Sequence, residues 1–139
     1  MIPTEVIARF EQLRDMATVA RATADGLRPE VLHWQEESQK QASAFEFVSR
    51  DFGRIDIRDG QPFRSVTREK RTGNTINWTT EYLPVPELAG LCADVLRVRA
   101  RLAEARERLD DANTRAAALR GAVDSAREAL RAAGWREAR

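Results

Sequence analysis

One cysteine, Cys92, stands in 139 residues, so no disulfide can close within the chain. Compactness must come from apolar burial, and the chain is long enough to bury one core. A single histidine, His33, argues against a metal centre, which draws on paired histidines or cysteines. No apolar run approaches the roughly 20 residues that cross a bilayer. Met1-Ile2-Pro3-Thr4-Glu5 lacks the charged-then-apolar layout of a secretion signal. These absences point to a cytoplasmic protein with no membrane partner. An excess of one charge is missing too: 23 basic and 22 acidic residues leave a net charge of +1. That excludes the globally basic balance of a dedicated nucleic-acid binder. Lysine is scarce, with only Lys40 and Lys70. Arginine's planar head suits interface ion pairs, although a GC-rich coding genome explains the bias more simply.

What is present falls into three sections. In residues 3–47, Ile2, Val6, Phe10, Leu13, Met16, Ala17 and Ala20 recur at the spacing of one helix face. Asp25-Gly26 reads as a helix stop and Pro29 as a new start, so two N-terminal helices are expected. The second carries Val31, Leu32 and Trp34 and fades near Phe45 and Phe47, where residues 44–50 read equally as helix or strand.

Residues 48–85 change period. Arg54-Ile55-Asp56-Ile57-Arg58 alternates polar and apolar, and Asp59-Gly60 supplies a hairpin turn. Phe63–Arg68 reads as the return strand and Thr72-Gly73-Asn74 as a second turn. Ile76, Trp78, Thr80 and Tyr82 then share one face of a third strand. A three-stranded meander with an apolar face persists when it packs on helices.

From Glu87 to about residue 133 no proline occurs, and no glycine after Gly90 until Gly121. Leu88, Leu91, Val95, Val98, Leu102, Ala105, Leu109, Ala112, Ala116, Leu119, Val123, Ala126, Leu130 and Ala133 fill every a and d position of a heptad repeat. That pattern calls for a long helix of about 70 Å, buried along its seam against other helices. Its stronger half runs from Leu88 to Leu109, because the alanines beyond bury little area. Arg99, Arg101, Arg106, Arg108, Arg115, Arg120 and Arg127 flank the seam at e and g, where interhelical charges select partners. A parallel homodimer through the long helix would oppose these arginines. The first section, with eight carboxylates against five bases, suits them better and is expected to fold antiparallel onto the long helix.

The expected fold is therefore mainly α (α+β). It is a long helical hairpin or coiled coil with a small three-stranded antiparallel meander between the N-terminal helices and the C-terminal helix, forming a single domain over 1–139. The layout is similar, as architecture alone, to prefoldin-type chaperone subunits, and no motif carries a family assignment.

Function is far less legible. His33, with Glu37 one turn on, reads as a boundary residue beside Trp34 rather than a base. Cys92 reads as small buried filler rather than a nucleophile. Asn77-Trp78-Thr79 matches a glycosylation acceptor by chance. No catalytic residue, cofactor or metal is assigned, and an enzyme is not expected. The candidates for partner binding are Arg64, Arg68, Lys70 and Arg71 with Trp78 on the meander, Arg99, Arg106 and Arg108 on the long helix, and Trp135 beyond it. They suit a non-enzymatic interaction module: a small adaptor, inhibitor or regulator that docks on another protein or nucleoprotein complex. Motif-free chains with both charge signs are common among inhibitors from phages and mobile elements, which makes such an origin one expectation. The rivals are nucleic-acid contact by the basic β tip and a self-assembling coiled-coil or chaperone-like scaffold.

Overall fold

The computed structural model describes residues 1–138. Two long helices are joined by a three-stranded antiparallel sheet. Helix α1 spans Thr4–Ser49 and a 3-10 turn covers Arg50–Phe52. Strands β1 (Ile55–Arg58), β2 (Gln61–Thr72) and β3 (Thr75–Pro84) follow, then a 3-10 turn over Pro86–Leu88 and helix α2 over Ala89–Ala132.

The two expected N-terminal helices are one. Gly26 is not left-handed, and Pro29 lies inside α1. Proline in a helix interior costs about 3 kcal/mol and glycine about 1 kcal/mol, so something must offset them. Burial along a single seam does so. Phe10, Ala17, Ala24 and Val31 lie seven apart, as do Leu13, Ala20, Leu27 and Trp34, and all are buried or half-buried. A break at Asp25-Gly26 would throw Leu27, Val31 and Trp34 out of register with that seam. The helix also takes in residues 44–49, which settles the ambiguous stretch as helix. It stops where Gly53 adopts φ +84° and ψ −148°, a region open only to glycine.

The chain divides into two compact units, Met1–Leu32 with Glu104–Arg139 and His33–Ala103. In the first, Phe10, Val123 and Leu130 form the core, flanked by Ile2, Leu13, Ala17, Ala126 and Trp135. The start of α1 thus meets the end of α2, and further along Glu30 meets Arg108 at 2.6 Å. Within this unit the segments run antiparallel, as expected of the acidic first section against the arginine-flanked long helix. The C-terminus of α2 closes in a Schellman motif: Gly134 at φ +92°, Gly134 N–H donating to the Arg131 carbonyl and Trp135 N–H to that of Leu130.

In the second unit, Leu88 and Cys92 are fully buried, and Val95 and Val98 are nearly so. Cys92 and Leu96 lie against one end of the sheet at Gly60, where Pro62 and Val85 are buried. The Cys92 thiol donates to the Gly60 carbonyl at 3.6 Å. Along both units every seam residue of the long helix is buried or half-buried except Ala133, so the seam is satisfied within the chain. Leu88 lies in the 3-10 turn ahead of α2 rather than in the helix.

The sheet follows its turns. Asp59 and Gly60 both have positive φ, the two-residue loop whose twist suits a hairpin. Gly73, at φ +62°, opens the second turn, with Thr72 paired to Thr75. β1 pairs only with residues 61–64, whereas β3 pairs over its whole length with residues 63–72 of β2.

Candidate interaction surface

Because β1 ends its pairing at Arg64, residues 65–82 continue as a two-stranded ribbon, an arm with neither face covered from Thr67 to Thr80. The apolar face expected to pack on helices is instead open. Trp78 is 67% and Ile76 49% exposed.

The pairing register sorts the arm's side chains, since directly opposed residues point to the same face. Ile76, Trp78, Thr80 and Tyr82 share one face with their partners Arg71, Glu69, Thr67 and Ser65. Arg64, Arg68 and Lys70 point to the other face, with Thr79 and Asn77. The sequence cluster of four basic residues and Trp78 is therefore split: only Arg71 joins the tryptophan. Two of the bases are neutralised locally, Arg68 by Glu81 at 3.3 Å and Arg71 by Glu69 at 3.0 Å. Among the described residues, Arg64 and Lys70 have no ion-pair partner. At the base of the apolar row, the Arg58 guanidinium lies 3.5 Å from the centre of the Tyr82 ring.

Sequence reasoning missed Ile76 as a surface residue, although its parity with Trp78 was already plain. A second signal lay in the same segment. Thr72–Thr80 is the longest stretch without a charged side chain in a chain that is 32% charged. It forms the turn and the outer half of the edge strand β3, and that half, Thr75–Thr80, has no lysine, glutamate or proline to discourage pairing.

The other candidates lie elsewhere. Arg99, Arg106 and Arg108 are exposed on α2, and Arg108 is held by Glu30. Trp135 folds back, its ring edge-on to Phe10 with centroids 5.3 Å apart. Beyond it, Glu137, which sequence reasoning passed over, accepts hydrogen bonds from Arg14 and Arg127 and ties the two helices together. These bonds hold the Glu137 carboxyl below its ordinary range and push the Arg14 guanidinium up. No sequence spacing could have shown a bridge over 123 positions.

The residues with chemical potential are spread apart. Burial pushes the Cys92 thiol up, against a smaller pull from Arg99, so it stays protonated near neutral pH. His33 stacks edge-on against Trp34 at 4.9 Å. Among the described residues no three histidine, cysteine or acidic side chains stand close enough to hold a metal ion, and no helix is long and apolar enough to cross a membrane. A hollow of about 830 Å³ is an open groove over the alanine-rich part of the first unit. No family model, curated protein or solved structure matches the chain.

Proposed function

We propose that this protein is a non-enzymatic interaction module, an adaptor or inhibitor that docks on a larger macromolecular complex through its β arm. One observation carries the reading. The ribbon displays tryptophan and isoleucine to solvent on one face, in a chain whose other phenylalanine, tryptophan and tyrosine side chains are exposed only at Phe47 and Tyr82 among the described residues. A two-stranded ribbon is marginal on its own, and uncovered tryptophan contributes nothing to folding. Tryptophan is instead the residue most enriched among the anchors of protein interfaces, where it fills a partner's pocket. The uncharged outer edge of β3 adds a second handle, since a strand of another protein can extend the sheet there.

Nucleic acid is the weaker reading. The free bases Arg64 and Lys70 lie on the face opposite Trp78, so stacking and phosphate contact do not converge. A protein partner is the better match to a neutral, aromatic face.

The test compares the full chain with a Trp78→Ala, Ile76→Ser variant in affinity capture from the native cell extract. The reading expects a discrete protein retained by the first and lost by the second, with unchanged helix content by circular dichroism. Equal capture by both would remove the arm from the function. Capture of nucleic acid instead, falling steeply with salt, would favour the rival.

A further inference from the structure

The first unit has two unlike long faces. In the heptad frame of both helices, one face carries the e positions and the other the g positions. In an antiparallel pair like positions meet on the same side. On the e face Arg14 and Arg127 pair with Glu137, and Arg21 and Arg28 with Asp25, while Arg106 and Arg120 have no ion-pair partner among the described residues.

The g face is apolar and open. On α1 it shows Val6 (43% exposed), Met16 (49%) and, at its rim, Val19 (65%). On α2 it shows Leu119, half-buried, with Ala122 and Ala129 exposed. Two hollows open on it. One, about 280 Å³, lies between Val6 and Leu13 of α1 and Ala129 of α2. The other, about 430 Å³, lies between Met16, Val19 and Ala112. The Arg108–Glu30 ion pair closes the strip at its far end. Among the described residues, Arg9 on the rim of the first hollow and Asp15 and Arg115 on the rim of the second have no ion-pair partner.

We infer that this face is the seat of a second copy of the chain, the two helix pairs joining as an antiparallel four-helix bundle about a two-fold axis. The arrangement of the face selects this occupant. A two-fold axis midway between the hollows lays the first hollow of one copy over the second of the other. Val19 then projects into the hollow beside Leu13 and Ala129 of the second copy. Arg9 comes level with Val19 of the second copy, about one helical turn from its Asp15 and within reach of it by the long arginine stem, and the same pair repeats on the other side of the axis. A face about 30 Å long and 20 Å wide gives roughly 600 Å² per copy, about 1,200 Å² in all, the lower bound for a specific pair. Such an area suits micromolar rather than nanomolar association. The surface is distinct from the β arm, so the dimer stands or falls independently of the arm's role.

The test is light scattering and sedimentation of the full chain across about 1–100 µM. The dimer, at twice the 15.7 kDa of the chain, dominates at the upper end. Val19→Glu, which alters an exposed position, gives monomer at every concentration with unchanged helix content. Arg9→Asp and Asp15→Arg each weaken association several-fold, and combined they restore it, because the pair is re-formed with its signs exchanged. A wild-type chain that stays monomeric throughout overturns the inference, as does a dimer that survives Val19→Glu. Dissociation by Trp78→Ala in place of Val19→Glu would move self-association to the arm and overturn it too. So would charge variants whose combination fails to recover what each loses.

Discussion

Gly26 sets a small, clean test of how α1 holds together. Its backbone is not left-handed, and a methyl group added there meets nothing within 4 Å. Alanine therefore costs no contact and removes glycine's excess freedom in the unfolded chain. Gly26→Ala should stabilise the protein by about 1 kcal/mol, read as a rise in the urea midpoint at constant slope. Had Gly26 been the helix stop that Asp25-Gly26 suggests, the same change would destabilise. Glu137 supplies a second residue-scale prediction. Its carboxyl is held below the ordinary value of 4.5 by Arg14 and Arg127, so the folded state binds this proton more weakly than the unfolded chain. The stabilisation is present above that value and is lost as pH falls through the lowered one. Thermal unfolding of Glu137→Gln should show a lower midpoint at pH 7, and the gap to wild type should narrow as the pH falls below 4.5. A gap that stays constant with pH would assign Glu137 a steric role only.

At the scale of elements, the seam of α2 carries the most burial. Leu102 is 8% exposed at an a position, and Val95 and Val98 are more deeply buried. Leu102→Ala should cost about 2–5 kcal/mol in denaturant unfolding, and Leu102→Asp should abolish folding outright, because an unpaired carboxylate cannot be buried there. Survival of a folded Leu102→Asp protein would contradict the packing of the helix. This seam was plain in the sequence, since fourteen apolar residues in strict heptads admit no other element. The seam of α1 was equally present but masked: Asp25-Gly26 and Pro29 are strong local signals, and they hid the seven-residue step from Ala24 to Val31. Local turn chemistry loses there to burial of Leu27, Val31 and Trp34, which a break would forfeit. The meander was legible from Asp59-Gly60, Gly73 and the period-two runs. What eluded the sequence was β1's shortness. It leaves β2 and β3 without a third strand beyond Arg64, and so turns an expected packed face into an exposed one. The candidate site was legible only as residue types. Whether Trp78 sits with Arg68 or with Arg71 depends on register, which composition does not carry.

At the scale of the whole molecule, the seam is not uniform. From Leu88 to Leu102 it is built of leucine and valine, whereas Ala112 and Ala116 on α2 run beside Ala17 and Ala20 on α1. Replacing leucine by alanine removes about three carbons, and at roughly 0.8 kcal/mol each the thin stretch forgoes about 2 kcal/mol per position. Grooves flank this stretch on both sides, of about 830 Å³ and 430 Å³, where larger side chains would have filled the space. Asn113, beside it, leaves its side-chain carbonyl buried without a hydrogen-bond partner among the described residues. Local opening should therefore start here. In native-state hydrogen exchange at low protein concentration, amides of residues 112–120 should exchange through openings several kcal/mol cheaper than those of residues 95–102. Equal protection along α2 would mean that the helix opens only as a whole, with its stability set by length rather than by what each seam position buries. Exchange faster at 95–102 would reverse the argument, placing the weak point beside the sheet instead of in the alanine stretch.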